Sequence, residues 1–331
     1  MSEDQLPFFT TDIPSEVDLE TSLEDSLQNP EWILGLVGLE GIGSTKALRI
    51  IQHFKTIQRL LNASSDEIQN VLGKTNFDLK KLVRKDASQP DDVKLLTYFD
   101  PKYPNGLRDL SDPPLLLWYR GVIPDNKSLA IVGTRNADEW GKKTTRVLAK
   151  ICGENGFAVV SGLALGVDTE AHLGCLETSL PTIAILACDV RNPTPKSNLN
   201  LAEQIIEQGG CLVAEVPPGS ETESFALVAR NRLQAAWSQG LLVTQCGIPS
   251  GTLHTVRFAM EIGRPVVVLR PPTESKGEQY AGNWNLTEEG RFDSKILGGT
   301  RKFQDRIHKR KFGADVVINS KSEFEVFLKN V

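Results

Sequence analysis

Short, nearly unbroken runs of aliphatic residues alternate along most of this chain with longer segments whose apolar positions recur at helical spacing. The runs are SLAIVG (128–133), FAVVSG (157–162), TIAILAC (182–188), CLVAEV (211–216), GLLVTQC (240–246) and RPVVVLR (264–270). They lack the apolar–polar alternation of a half-solvated strand, so they are expected to be covered on both faces. Periodic segments near 139–153, 168–178, 199–208, 226–238 and 251–262 lie between them. This alternation predicts an α/β fold: a parallel sheet with helices on both faces.

The flanks follow other patterns. Residues 1–29 are acidic, rich in Ser and Thr and without sustained periodicity, and read as a disordered tail. Pro30 stands where a first helical turn begins, and WILGLVGLEGIGSTKALRIIQHF (32–54) supplies two short apolar helices about a Gly-rich turn. SSDEIQNVLG (64–73) adds a Ser cap, an acidic first turn and a Gly stop. The polar stretch RKDASQPDD (84–92) reads as a linker. Residues 30–90 are therefore expected to form a small helical domain and residues 91–331 the α/β domain. Within the latter, 271–312 is a polar and basic insertion, and ADVVINSKSEFEVFLKNV closes the fold with a last strand and helix.

Composition narrows the class. A chain of 331 residues that is 40% hydrophobic can fill a sizeable core. No apolar stretch approaches the roughly 18 residues that a membrane span needs, and the amino terminus is acidic where a signal peptide is basic. A soluble, cytoplasmic protein with no membrane partner is expected. The five cysteines (152, 175, 188, 211 and 246) are widely spaced with no C-x-x-C pair, which argues against a disulfide framework and a zinc site. No carboxylate cluster suggests another metal, and no cofactor is implied.

The net charge of -5 conceals an asymmetry. Residues 1–31 hold nine Asp or Glu and no Lys or Arg, leaving 33 acids against 37 bases, a net of +4, for the rest. The folded part is mildly basic, which permits a polyanion site.

In sheets of this kind ligands collect at the carboxyl ends of strands, so the residues that follow each strand describe the site. The first run is followed by Gly133, Thr134 and Arg135, then by a helix with Lys142, Lys143 and Arg146. The second is followed by Ser161, Gly162, Gly166 and Asp168, and the fifth by Gln245 and then Ser250, Gly251 and Thr252. Small residues, hydroxyls and free amides beside an arginine describe an anion cradle, with the bare backbone at 161–166 admitting phosphate to the head of the helix near Asp168. The alternative is that these glycines serve only tight turns. Arg230, Asn231 and Arg232 lie on the predicted helix between the fourth and fifth runs, and one arginine and Asn231 could face the same cleft. Phe225, just before it, is either a platform for a stacked base or ordinary core. Neither G-x-G-x-x-G nor G-x-x-x-x-G-K-[ST] occurs.

Asp168, His172 and Cys175 fall at i, i+4 and i+7, superficially a hydrolytic trio. Side chains from one helix face run parallel rather than converging on one atom, so Asp168 is read as a cap and His172 as structural or ligand-contacting. No catalytic residue is assigned. The turn at Gly41-Ile42-Gly43, with Lys46 and Arg49 one turn in, has a helix-hairpin-helix form that either takes a phosphate or only packs. RKFQDRIHKRKF (301–312) is a nucleic-acid contact, an acidic-partner contact or a solvated face.

In this order the segments AIVGTR, VVSGLALGVDTEAHLG, ARNRLQAAWSQGLLVTQC and SGTLHTVRFAMEIGRPVVVL resemble the DprA/Smf family of DNA-processing proteins. The likeness begins near YFDPKYPNGLRDLSDPPLLLWYRG (98–121) and ends near Arg270. It implies an extended Rossmann-like fold behind a helix-hairpin-helix or SAM-like module. It also implies binding of single-stranded DNA without known catalysis, loading of a RecA-like recombinase during DNA uptake, natural transformation and recombination, and a homodimer. The family's phosphate loop falls on Gly133, Thr134 and Arg135, its Ser-Gly-x-Ala-x-Gly-x-Asp stretch on Ser161 to Asp168, and its Arg-Asn-Arg on Arg230 to Arg232. Thr244-Gln245-Cys246 departs from the family's usual Val-Glu-Ala, which is expected to remove a carboxylate from the cleft. The segment after Pro271 shows no winged-helix tail. The competing class is a nucleotide-binding sensor or nucleotide hydrolase, since similar folds bind nucleotide derivatives, and a third is an interaction scaffold.

Overall fold

The structure is a computed structural model that describes residues 25–73, 78–220, 226–275 and 277–331. The chain divides into two compact units, one ending at Ala87 and the other running from Ser88 to Val331.

The first unit contains helices α1 (Pro30–Val37), α2 (Ser44–Phe54), α3 (Ile57–Leu61) and α4 (Ser65–Leu72). Asn29 caps α1 by accepting from the Glu31 amide at 3.0 Å, and Pro30 occupies the first turn, where its missing N–H costs nothing. The α2 stripe Ala47, Ile50, Ile51 and Phe54 is wholly buried at the i, i+3, i+4, i+7 spacing of one helix face. The disordered tail expected for residues 1–29 is corrected at its end. Leu27 is fully buried, its amide bonds Lys55 O at 2.9 Å, and Ser26 bridges Thr56. One leucine buried in the helical unit outweighs the polar composition around it. The remainder of the tail, residues 1–24, lies outside the described residues.

The second unit is built on nine strands, β1 (Lys94–Thr97), β2 (Leu116–Gly121), β3 (Ser128–Val132), β4 (Ala158–Ser161), β5 (Thr182–Leu186), β6 (Cys211–Ala214), β7 (Leu241–Val243), β8 (Val266–Leu269) and β9 (Val316–Ile318). They form one sheet in the order β1-β2-β6-β5-β4-β3-β7-β8-β9. The strands from β6 to β9 in that order are parallel, as their aliphatic runs predict. The sheet is nevertheless mixed, because β1 and β2 add an antiparallel pair at one edge. Helices α5 (Glu139–Glu154), α6 (Val167–Leu176), α7 (Leu199–Glu207), α8 (Ala226–Trp237), α9 (Gly251–Glu261), α10 (Ala281–Thr287), α11 (Arg301–Ile307) and α12 (Lys321–Leu328) complete it. Among the described residues no helix is long and apolar enough to cross a membrane.

Alternate residues of each strand serve opposite cores. Leu129 and Ile131 face α5, α6 and α12 through Leu148, Val167 and Phe324, whereas Ala130 and Val132 face α8 and α9 through Leu233, Leu253 and Val256. From β3 the chain proceeds to β4, β5 and β6 on one side, then returns to lay β7, β8 and β9 on the other. The loops after β3 and β7 therefore diverge and open a crevice between neighbouring strand ends.

The 271–312 segment is less of an insertion than its polarity suggests. Leu286, Leu297, Phe303 and Ile307 join the core on the α8 and α9 face. Asn283, fully buried on α10, accepts from the Cys246 amide at 2.6 Å and donates to Thr244 O at 3.0 Å and Leu269 O at 2.9 Å. Isolated apolar residues in short helices leave no long periodic signal. The basic run is partly neutralised: Arg306 donates to Met260 O at 2.9 Å, Arg310 pairs with Asp315 at 2.5 Å, and Lys311 lies 3.3 Å from Glu289.

Asn283 binds the ends of β7 and β8 together, so Asn283→Leu leaves buried backbone groups at Thr244, Cys246 and Leu269 unpaired. Urea unfolding is expected to show a loss of about 2–4 kcal/mol. An unchanged midpoint would show that these bonds contribute nothing net.

Candidate functional site

The crevice at the strand ends is a cleft of about 460 Å³. Gly133, Thr134 and Arg135 line it from the loop after β3, Ala164 and Asp168 from the loop and helix after β4, and Ser250, Gly251 and Thr252 from the head of α9. Arg230, Asn231 and Gln234 line it from α8. A hollow of about 260 Å³ shares Arg135, Ala164, Leu227 and Arg230 with it and is walled by Gly162, Leu165, Leu186, Cys188 and Pro195.

Two arginines supply its positive charge by different means. Arg135 is exposed on its loop. Arg230 is only 8% exposed, its Nε has no partner, and no described carboxylate lies within ion-pair distance. Burial holds this guanidinium below the ordinary arginine value, with the Asp168 carboxylate acting in the opposite direction. Arginine stays charged even so, and a buried charge whose nearest carboxylate, Asp168, acts on it only from beyond ion-pair distance is costly unless a ligand adds a closer one. Asp168 is itself buried; burial pushes its carboxyl up, against the Arg230 charge and the Ala164 amide, which donates to it at 3.3 Å.

Arg232 does not join the cleft, which corrects one of the expected contacts. Its Nη2 donates to both Glu215 oxygens at 2.9 Å and its Nε to Asp112 at 3.2 Å. Although burial opposes it, these carboxylates hold Arg232 above its ordinary value. Two residues along a helix are about 200° apart, so Arg230 and Arg232 point to different neighbours. Asn231 instead fastens the cleft, donating to Gly251 O at 3.2 Å, while Ser250 caps α9 by accepting from the Thr252 amide at 3.2 Å. Phe225 lies outside the described residues.

The bare backbone at 161–166 admits other parts of the fold. A Cβ on Gly162 would stand 1.6 Å from Arg230 Nη1, and one on Gly166, at φ +76°, 2.5 Å from Thr134 O and Arg135 O. One on Gly133 would meet Val167 Cγ2 at 2.5 Å. These glycines let three loops and one guanidinium approach each other. At the head of α6 the Val167 amide bonds Thr134 O at 3.1 Å and the Asp168 carboxylate occupies the Ala164 amide. Ser161 lies beneath the site, fully buried, with its hydroxyl donating to Ile131 O at 2.7 Å.

Gln245 does not alter the charge of the cleft either. Fully buried, it accepts from the Asp138 amide at 3.2 Å, and Asp138 in turn accepts from the Gly141 amide at 2.8 Å and from the Tyr280 hydroxyl. The sequence reading missed Asn198, whose amide donates to Leu163 O and Thr169 Oγ1, both at 2.9 Å, and so pins the loop after β4. It also missed Gln234, a single amide in the otherwise apolar stretch LQAAW.

The Asp168, His172 and Cys175 series is no catalytic trio. Asp168 reaches the cleft, but His172 and Cys175 are fully buried against the sheet. The Thr182 hydroxyl donates its one proton to Val159 O at 2.8 Å, so His172 Nδ1, 2.7 Å away, must be the donor to Thr182. That leaves His172 Nε2 without a partner, and burial, with Arg230 adding to it, pushes the imidazole down to about 3. Among the described residues no group of His, Cys, Asp and Glu could hold a metal ion.

The unfolded chain titrates at about 6.5 and therefore binds a proton that native His172 refuses. Stability from this group is present above that pH and lost as pH falls toward 3, by about 1.4 kcal/mol per unit. Between pH 7 and pH 5, wild type is expected to lose about 2 kcal/mol more than His172→Gln in urea unfolding. Parallel losses in the two proteins would show that the imidazole is charged in the native state.

Comparison with known proteins places these features in context. The family model for DNA recombination-mediator protein A matches residues 94–297. Protein Smf of Synechocystis sp. is 31% identical over 268 residues, 76% of this chain and 67% of that protein. DNA processing protein DprA of Bacillus subtilis is 33% identical over 184 residues, 55% of this chain and 61% of that protein. The X-ray structure of DNA processing protein A from Streptococcus pneumoniae is similar in fold, with a TM-score of 0.63 over 89% of this chain and 95% of its own at 23% identity. A structure describing the single-stranded DNA binding mode of DNA processing protein A from Helicobacter pylori aligns with a TM-score of 0.52 at 27% identity, over 65% of this chain and 94% of its own.

Proposed function

The chain belongs to the DNA recombination-mediator protein A family, the DprA/Smf group, and on that premise we propose that its switch-point cleft binds the sugar-phosphate backbone of single-stranded DNA. The observation that carries this reading is Arg230: a buried guanidinium with no described carboxylate at ion-pair distance, facing a cleft whose rim holds the exposed Arg135. A phosphate diester supplies a negative charge in contact, and two arginines spaced across one cleft suit a repeating anion.

A single strand suits the rim better than a duplex does. Leu165, Leu227 and Val228 stand 49%, 37% and 38% exposed along the cleft and the adjoining hollow. Unpaired bases present apolar faces to such a rim, whereas a duplex keeps its faces stacked inward. The single-stranded DNA binding described for the Helicobacter pylori protein supports the same ligand. Delivery of the strand to a RecA-like recombinase, action in DNA uptake and work as a homodimer belong to this proposal. They are supported by the family's description as a recombination mediator and by the resemblance of the motifs. The reading is of a binding protein, and it assigns no bond-making step to the cleft.

Fluorescence anisotropy of a labelled oligothymidine against salt tests it. Arg135→Ala is expected to weaken binding about tenfold and to reduce the slope of log affinity against log salt by about 0.7, one single-strand phosphate. A protein that ignores the oligonucleotide yet retains a mononucleotide would sink the reading. Gly162→Ala, whose new methyl group displaces Arg230, is expected to weaken binding as much as Arg230→Ala, with the double variant no weaker than either. Additive losses would show that the two positions act independently.

A further inference from the structure

We propose that Gln234 is a positioning residue: it holds the Arg230 guanidinium with a neutral partner, so that no carboxylate in contact takes the place of a strand phosphate. The inference rests on the reading of the cleft as a backbone-phosphate site.

Gln234 sits one helical turn after Arg230 on α8 and is 2% exposed. With its amide turned to satisfy its surroundings, Oε1 accepts from the Gly162 amide at 3.0 Å and from Arg230 Nη1 at 2.9 Å, and Nε2 donates to Asn231 Oδ1 at 3.1 Å. In the opposite orientation oxygen faces acceptors and nitrogen faces donors. The amide thus joins the glycine that makes room for Arg230, the arginine itself and the asparagine that fastens α9.

A buried guanidinium needs a hydrogen-bond acceptor, and a carboxylate is the strongest one available, but it also cancels the charge. The same helix shows both solutions. Arg232 is clamped by Glu215 and Asp112 and lies outside the cleft. Arg230, inside it, is held by an amide. The neutral acceptor fixes direction and leaves charge, which an anion site requires. The Gln234 amide also donates to Asn231 Oδ1, so a carboxylate there would set oxygen against oxygen.

Three variants test the inference by oligothymidine anisotropy over a salt series, each checked for a native thermal transition. Gln234→Glu is expected to weaken binding about tenfold and to lower the salt slope by about 0.7, as though Arg230 had been removed. Gln234→Met keeps the charge but loses the hold, and is expected to weaken binding about threefold with the slope intact. In the Arg230→Ala background Gln234→Met is expected to have no further effect on binding. Wild-type affinity in Gln234→Met, or equal losses with an unchanged slope in Gln234→Met and Gln234→Glu, would overturn the proposal even where the glutamate variant fails to fold. So would a further loss in the Arg230→Ala background, which marks a general structural role. Thermal shift by inorganic phosphate separates this proposal from the reading on which it rests. A shift seen in wild type and absent in Gln234→Glu supports the role of Gln234 even if the oligonucleotide is ignored; equal shifts, or no shift in wild type, overturn it.

Discussion

Burying a guanidinium beside a crevice without a carboxylate in direct contact sets the terms for everything around it. Arg230 needs space, and Gly162 supplies it by lacking a Cβ where one would fall 1.6 Å from the guanidinium. It needs an acceptor that leaves its charge intact, and Gln234 is placed one turn away. The loops that frame it must approach more closely than ordinary side chains allow. Gly166, in the left-handed region, passes under the carbonyls of Thr134 and Arg135, and Gly133 admits Val167. The desolvation cost is met by the rest of the domain, whose sheet is covered on both faces.

The order of the strands determines where this arrangement sits. The chain reverses direction across the sheet between β6 and β7, so the β3 and β7 ends stand side by side with their loops turned apart. Asn283, reaching from α10, holds Thr244, Cys246 and Leu269 together behind the crevice, and Asp138 links Gln245 to Tyr280. The segment after Pro271 therefore buttresses the site, although its composition resembles that of a surface insertion.

Much of this architecture is written locally. Aliphatic-rich runs of six or seven residues marked β3 to β8 because strands covered on both faces tolerate few polar side chains, and the helices between them kept their periodicity. The antiparallel pair was not legible, since β1 is only four residues long and LLWYRG carries no alternation. The site was partly legible: the loop residues after β3 and β7 follow from the rule that strand ends carry ligands. Asn198 and Gln234 left little trace, because a single polar residue in an apolar stretch does not reveal which distant loop it will meet.

Residue pattern alone determined the α/β class, the places of the central strands and the clustering of small residues with Arg135 at the strand ends. Tertiary structure alone decided which arginine is clamped by carboxylates and which is not. Arg230 and Arg232 are chemically identical and two positions apart, but Arg232 meets Asp112 and Glu215, 120 and 17 residues away, while Arg230 meets an amide. It likewise made the glycines points of close approach between loops. Periodicity is carried by neighbours in the chain, whereas the charge left over in a buried pocket depends on which distant groups the fold brings within a few ångströms.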